Sequence, residues 1–333
     1  MIEVIKPGAL SLFQDHGRLG FQKLGVPAAG PMDANAHRLA NLLVGNDPAV
    51  AALEITLLGP MLRFEQPTGF ALAGADLSPR LNRKPLAMHR PHVAEPGDIL
   101  DFGPPQRGCR AYFSVHGGFQ LQPVLGSCST YVKGNFGGLH GGALRAGDRI
   151  PILSPLASDP VRLEACREAL WEVVVYLSAG LGPATRRSLR ILRGPQWDLF
   201  EEEARRALLN ESFEISSQSD RMGFRLSGPR LRLASDTQIL SEATALGAIQ
   251  VPQGGDPILL MADRQTMGGY PKIAYLAGVD LPLLAQCLPS ERLRFTLITL
   301  EEAQELDLRR EQAFSYLAES LAPIGDVFRS VAT

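Results

Sequence analysis

A polar segment at residues 263–272 combines charged, amide and hydroxyl side chains within ten residues. It reads Asp-Arg-Gln-Thr-Met-Gly-Gly-Tyr-Pro-Lys and directly follows an apolar run. It offers backbone N–H groups, two cations, an amide and two hydroxyls at a predicted strand end, which suits a carboxylate, carbamate or amide substrate. Lys272 could stabilise a developing oxyanion, and Asp263 could act as a base or orient a cation. A polar turn with a stacked Tyr270-Pro271 pair is the alternative interpretation.

A second polar segment, residues 14–18, reads Gln-Asp-His-Gly-Arg and follows the apolar run 10–13. An arginine can hold a carboxylate through two parallel hydrogen bonds, and Asp15 could fix the guanidinium of Arg18 for that purpose. This combination predicts an anion-binding corner. The alternative is an ordinary turn in which Asp15 caps the chain and pairs with Arg18.

A glycine-rich stretch at residues 117–142 adds hydroxyl groups at Ser127, Ser129 and Thr130. Its glycines could let the backbone approach a ligand closely. Their spacing does not match a phosphate-binding loop, so we expect a lid or loop whose hydroxyl side chains could face a ligand.

Sequence motifs for nucleotide and metal chemistry are absent. There is no GxxxxGKS or GxxxxGKT loop, no GxGxxG after a strand, no HExxH, no GxSxG and no Met-Lys-Met stretch for a biotin-carrying lysine. The four cysteines lie far apart, and no Cys/His cluster has metal-ligand spacing. We expect no metal site and no covalently bound cofactor on this chain, so another protein chain would have to supply the activation.

Charge and hydropathy limit the class of partner. Lys and Arg number 33 against 35 Asp and Glu, a net charge of −2, which argues against a nucleic-acid surface. No apolar run approaches the roughly 20 residues that span a membrane, and no basic-then-apolar leader begins the chain. Widely spaced cysteines fit a reducing compartment, so we expect a cytoplasmic protein that acts on a small molecule.

The elements that must position these residues are predicted to be mostly strands. Short apolar or alternating runs bounded by Gly or Pro predict strands at residues 10–13, 53–58, 70–73, 110–115, 172–177, 190–193, 224–226, 258–261 and 293–297. Helices are predicted at residues 31–44, 161–170, 196–209, 280–288 and 300–321. The pattern favours a mainly β, β-rich α+β fold of antiparallel barrels with a few attached helices.

An internal repeat indicates two related halves. Four short elements of residues 18–102 recur in the same order within residues 221–295, among them Arg-Leu-Gly-Phe at 18–21 and Arg-Met-Gly-Phe at 221–224. A proline-rich joint at 151–160 predicts a first half at residues 1–155 and a second half, with a C-terminal helix, at residues 156–333.

Several motifs resemble those of the allophanate hydrolase subunit 2 family, better described as biotin-dependent carboxyltransferase-like. The resemblance covers about residues 1–295 and runs through residues 14–20, 30–33, 40–46, 53–54, 117–119, 125–130, 219–223, 247–252 and 263–272. Two positions depart from the family pattern: Asp220 stands where Asn is preferred, and Met267 where Thr is usual.

The resemblance implies a pair of cyclophilin-like β-barrel halves with a substrate site in the cleft between them. The family includes the C subunits of 5-oxoprolinases, which work with A and B subunits to open 5-oxo-L-proline to L-glutamate with ATP. In such a complex Arg18 or Arg221 would hold the substrate carboxylate. Lys272 would stabilise the oxyanion, and Asp263 would orient or deprotonate. The remaining expected substrate-binding residues are Gln14, Asp15, Ser129, Gln265, Thr266, Gly269 and Tyr270.

Two other functions stay open at this point. The chain could be the carboxyltransferase component of a biotin-dependent urea or amide carboxylase, with biotin carried by another chain. It could also be a regulatory partner of a protein that resembles the B subunit, without catalysis of its own. A biotin carboxylase and biotin carrier encoded beside the gene would favour the carboxyltransferase.

Overall fold

The computed structural model describes residues 1–178, 181, 188–235 and 239–332. The chain forms two compact units that are interleaved in sequence. The first comprises Met1–Arg18, Asp33–Pro183 and Gln312–Thr333, and the second comprises Leu19–Met32 and Ala184–Glu311. Each unit has a hydrophobic core of its own. The division into halves at residues 155 and 156 stays a prediction about the sequence.

Two antiparallel sheets frame the first unit. Their strands are β1 (Ile2–Lys6), β2 (Leu10–Gln14), β3 (Ala52–Thr56), β4 (Met61–Phe64), β5 (Thr68–Asp76), β6 (Pro79–Leu81), β7 (Lys84–Pro85), β8 (Pro91–Ala94), β9 (Ile99–Phe102), β10 (Arg107–Val115) and β11 (Arg149–Ile150). One sheet has the order β11-β1-β4-β9-β6-β7 and the other β2-β3-β10-β5-β8. Alternating side chains of both sheets fill one core, where Phe64, Phe70 and Phe113 pack ring against ring.

Helices cover a second core of the first unit. Helix α1 (Ala34–Leu42) begins after Asp33, whose side chain accepts a hydrogen bond from the Ala36 N–H at 2.9 Å. Helix α2 (Pro160–Trp171) has Asp159 as its N-cap and proline in its first turn. The apolar face of α1 packs on β5 and β10, because Leu39 and Ala40 belong to the same buried cluster as Ala71 and Tyr112.

A closed barrel forms the second unit. Its described strands and helices are β12 (Ser188–Arg193), α3 (Glu202–Asn210), β13 (Phe213–Ile215), β14 (Gly223–Ser227), β15 (Glu242–Ala243), β16 (Ala248–Gln250), β17 (Ile258–Leu260), β18 (Met267–Gly268), β19 (Lys272–Leu276), α4 (Leu281–Ala285) and β20 (Arg292–Leu297). Helix α5 (Leu300–Arg329) begins in the second unit, and its residues from 312 onward belong to the first. The barrel order is β12-β19-β16-β17-β14-β13-β20, closed by a parallel β12–β20 pair, and β15 pairs with β18 separately. Closure leaves the barrel sheet without a free edge.

The predicted fold class is confirmed, and all but one of the predicted strands coincide with observed strands. The exception is 172–177, where the prediction is wrong because this segment is irregular. Its alternation is real, since Val173 and Val175 lie against the core while Val174 and Tyr176 are exposed. No described strand pairs with the backbone of this segment, so its alternating side chains do not belong to a sheet.

The predicted helices differ from the observed ones mainly at their ends. The helix predicted at 196–209 is a short 3₁₀ turn, Trp197–Leu199, followed by α3, because Phe200 and Glu201 are extended. Helix α5 passes the predicted end at 321 and continues through Pro323 to Arg329. Among the helices of the described residues, none combines the length and the apolar character that crossing a bilayer requires.

Candidate functional site

A buried polar cluster surrounds Asp15 in the first unit, where the chain leaves β2. The carboxylate accepts hydrogen bonds from the hydroxyls of Ser127 at 2.6 Å and Ser129 at 2.7 Å. The backbone N–H groups of Cys128 and Gly17 also donate to it, at 2.6 and 2.9 Å. Burial acts to raise the pKa of Asp15, but these four donors outweigh it and hold the pKa below its usual value.

Arg18 binds the loop at residues 124–130, which also contains Ser127 and Ser129. Its Nε donates to the carbonyl of Val124 at 2.9 Å, and its Nη2 donates to the carbonyl of Ser129 at 2.8 Å. The guanidinium also lies 4.7 Å from the ring centre of Phe136. Gln14 completes the contact by donating to the carbonyl of Thr130 at 3.1 Å. The structure therefore brings Gln14, Asp15, Arg18 and Ser129 together, and their donors and acceptors hold the loop at 124–130.

A buried ion pair organises the second unit where β17 ends. The guanidinium of Arg221 binds the carboxylate of Asp263 through two contacts, Nε–Oδ2 and Nη2–Oδ1, both 3.0 Å. Nη2 also donates to the carbonyl of Gly30 at 2.6 Å. Burying both charges is tolerable because each has the other as a partner. Asp263 is thus held in a fixed orientation by Arg221.

Lys272 is 1% exposed at the start of β19, and its ammonium bonds the carboxylate of Glu242, whose side chain is 45% exposed. Gln196 bridges the pair, accepting from the Lys272 N–H at 2.9 Å and donating to Glu242 at 3.1 Å. The hydrogen bond from Lys272 lowers the pKa of Glu242. A buried cation therefore lies behind a carboxylate that solvent and small molecules can reach.

A pair of amide side chains lies next to Lys272. Gln250 stands opposite Lys272 in the β16–β19 ladder, and its Oε1 accepts a hydrogen bond from the Nε2 of Gln265 at 3.1 Å. The backbone of this segment is anchored because the N–H of Thr244 donates to the carbonyl of Thr266 at 3.1 Å. A Cβ at Gly268 would lie 2.8 Å from the Nε2 of Gln250, so a larger residue there would push this amide aside.

The predicted residues of the second unit are thus partly gathered. Arg221 and Asp263 bind each other, while Gln265 bonds Gln250, which stands opposite Lys272 in the ladder. Gly269 is half-buried and follows Gly268 directly, and Tyr270 is exposed. The assignment of all eleven predicted residues to a substrate site stays a prediction, because no ligand contact bears on it.

Three residues of the Lys272 cluster were missed from the sequence: Gln196, Glu242 and Gln250. Gln250 had a usable signal, since it is a polar residue in an otherwise apolar strand, Ala-Ile-Gln-Val at 248–251. Glu242 and Gln196 had none. They lie 30 and 76 residues before Lys272, and only the folded chain brings them together.

The sequence of this chain is similar to those of several known proteins. The family described as "Carboxyltransferase domain, subdomain A and B" matches residues 24–297. The chain is 37% identical to the 5-oxoprolinase C subunit of Escherichia coli strain K12, over 96% of this chain and 98% of that protein. It is 33% identical to the 5-oxoprolinase C subunit of Haemophilus influenzae, over 93% of this chain and 96% of that protein.

A solved structure shows a similar fold inside a much longer protein. The crystal structure of the K. lactis urea amidolyase superimposes with a TM-score of 0.84 at 31% identity. The superposition covers 95% of this chain but 20% of that one.

Proposed function

The chain belongs to the family of carboxyltransferase domains that contain subdomains A and B. From that membership we propose that it is the C subunit of an ATP-dependent 5-oxoprolinase. The complex, completed by A and B subunits, opens 5-oxo-L-proline to L-glutamate. The observation that carries the proposal is the 37% identity to a 5-oxoprolinase C subunit along nearly the whole of both chains.

The Lys272 cluster supplies the chemistry that a lactam needs. Negative charge develops on the lactam oxygen as the carbonyl carbon is attacked, and an ammonium in a site that excludes water stabilises it strongly. Lys272 is such a group, and the half-exposed Glu242 marks the side from which a substrate can approach. The amides of Gln250 and Gln265 can donate to or accept from the –CO–NH– edge of the ring.

Asp263 could act as a base or as an orienting group, and we assign it the orienting role. Arg221 bonds both oxygens of its carboxylate, which fixes the orientation of the side chain. Asp263 therefore acts through the turn that it holds after β17. Binding and activation of ATP belong to the complex, with the nucleotide placed outside this chain, and the complex works in the cytoplasm.

A carboxyltransferase component of a biotin-dependent urea or amide carboxylase is the second candidate. The observation in its favour is the TM-score of 0.84 to the K. lactis urea amidolyase. The same lysine and amides would then face carboxybiotin carried by another protein. A regulatory role without catalysis would leave the buried Lys272 without a function.

The test is ATP-dependent glutamate release from 5-oxo-L-proline by this chain mixed with its candidate A and B subunits, each omitted in turn. We expect release only from the complete mixture. No release there, together with carboxyl transfer to urea or an amide when a biotinylated carrier is added, would replace the proposal with the second candidate. No reaction in either assay would leave the regulatory role.

Lys272→Met keeps most of the side-chain volume while removing the charge, and we expect it to lower turnover of the complete complex by about 100-fold or more. Lys84→Met, at an exposed lysine in β7, is the matched control and should keep wild-type turnover. Assembly is checked by co-purification of the three proteins. Wild-type turnover in an assembled Lys272→Met complex would remove Lys272 from the mechanism.

A further inference from the structure

Arg264 is a buried cation without a counter-charge. It lies between Asp263 and Gln265 in the turn after β17 and is 9% exposed. Its Nε is buried and has no hydrogen-bond partner. Its Nη1 reaches the carbonyl of Met261 in the same turn at 3.4 Å, a long contact. Within the described residues Nη2 has no acceptor either, so the edge formed by Nε and Nη2 is uncommitted.

Asp263, which precedes Arg264 in the chain, and Glu242 of the Lys272 cluster are already engaged. Asp263 is bound at both oxygens by Arg221, and Glu242 by Lys272 and Gln196. Burial lowers the pKa of the Arg264 guanidinium, and no neighbouring charge is among the causes. An uncompensated buried charge costs stability, and a bound anion would offset that cost.

Three other arginines of the chain direct the same edge to protein acceptors. Arg190 binds the fully buried Asp280 through Nε and Nη2, the same edge that Arg264 leaves open. Arg18 and Arg221 direct the corresponding donors to backbone carbonyls and to Asp263. The Nε–Nη2 edge of an arginine matches the two oxygens of a carboxylate.

We propose that Arg264 binds the carboxylate of a small-molecule substrate through its Nε–Nη2 edge. On the proposed function, on which this identification rests, that group is the carboxylate of 5-oxo-L-proline. Arg264 precedes Gln265, whose amide reaches the Gln250 that stands opposite Lys272. One segment of chain thus carries both a candidate carboxylate receptor and, at the next residue, an amide assigned to the lactam.

The test compares 5-oxo-L-proline with 5-oxo-L-prolinamide, which keeps the ring and lacks the negative charge. In the complete complex we expect Arg264→Gln to raise the KM for 5-oxo-L-proline by about 10- to 100-fold, with a smaller effect on kcat. We expect wild type to be inhibited by the amide only weakly, and Arg264→Gln to lose this preference for the acid. Arg225→Gln, at an exposed arginine in β14, is the matched control and should behave as wild type.

An unchanged KM and an unchanged preference for the acid in Arg264→Gln would overturn the inference while leaving the proposed function intact. Loss of assembly of the complex in that variant would overturn it as well, because the guanidinium would then serve a carboxylate of a partner protein. No turnover by the wild-type complex would instead overturn the proposed function.

A second experiment, the melting temperature of the free chain, tests the role of Arg264 without an activity assay. We expect Arg264→Met to leave the melting temperature of the free chain unchanged or higher, because an unpaired buried charge is removed. We also expect sodium acetate, compared with sodium chloride at equal ionic strength, to raise the melting temperature of wild type and not of Arg264→Met. A clear fall in melting temperature for Arg264→Met without ligand, or equal protection of both proteins by acetate, would contradict the inference.

Discussion

His37 shows how strongly the interior of the first unit acts on a single side chain. The imidazole is almost completely buried on α1, and its Nε2 lies 3.0 Å from the carbonyl of Gln14. Burial lowers its pKa to about 4, and the carbonyl of Gln14 and the carboxylates of Asp15 and Glu54 act weakly in the opposite direction. The folded protein therefore holds this histidine neutral.

This gives a prediction for the acid side of the stability curve. The unfolded chain protonates His37 near pH 6.5 but the folded protein only near 4, so the unfolded state binds the extra proton between these values. The free energy of unfolding should fall by roughly 3 kcal/mol from this residue alone as the pH drops through that window. His37→Gln should flatten this part of the curve in urea unfolding, with pH 8 as the reference. An equally steep curve in the variant would contradict the assignment.

At the scale of the elements, the same turn is built twice. At 95–98 the N–H of Glu95 donates to the Asp98 carboxylate at 2.8 Å, and at 288–291 the N–H of Leu288 donates to the Glu291 carboxylate at 3.0 Å. Each turn precedes a strand, β9 or β20, and both lie in the repeat seen in the sequence. The third residue of each is left-handed: Gly97 with φ 93° and Ser290 with φ 70°.

Exchanging these residues should move stability in opposite directions. Ser290→Gly should raise the free energy of unfolding by about 1 kcal/mol, because glycine adopts a positive φ without steric cost. Gly97→Ser should lower it by a similar amount, and the cost is purely conformational because a Cβ there meets nothing within 4 Å. Urea midpoints at constant m-value measure both. Shifts of the same sign in the two variants would contradict the argument.

At the scale of the whole molecule, the end of the chain completes the core of the unit that begins it. Residues from 312 onward in α5 supply Phe314, Leu321 and Phe328 to the core that contains α1. Phe328 is fully buried and stacks on His116 with ring centres 5.0 Å apart. Gly69 leaves the space for it, since a Cβ there would lie 2.4 Å from the Phe328 ring. The first unit therefore cannot complete its core until the chain has been made as far as Phe328.

Phe328→Ala should accordingly destabilise the protein by about 3–5 kcal/mol, as expected for a large aromatic removed from a closed core. Tyr316→Ala, at a 73% exposed aromatic of the same helix, should change stability by less than about 0.5 kcal/mol. Thermal and urea unfolding of the two variants test the difference. Equal effects would mean that the C-terminal turns of α5 contribute little to the first unit.

The sequence by itself determined the fold class, most strands and the family. Strands follow from a period of two between Gly and Pro residues, and the start of α5 follows from its capping box. There the N–H of Thr299 donates to Glu302 at 2.7 Å, and the N–H of Glu302 donates to Thr299 at 3.2 Å. These signals are local, so they can be read without knowing what packs nearby. The strand predicted at 172–177 is absent because a strand also needs a neighbouring strand to pair with, which local signals do not reveal.

Which polar residues have protein partners depends on the folded chain. Three of the four donors to Asp15 lie more than 110 residues along the chain, while Asp263 lies 42 residues from Arg221 and Glu242 lies 30 residues from Lys272. Sheet register sets such pairings, and no local pattern encodes it. The sequence presented Arg18 and Arg221 as candidates for an anion and gave Arg264 no separate role. Packing gave fixed protein partners to the first two and left the buried Nε of Arg264 without a hydrogen bond.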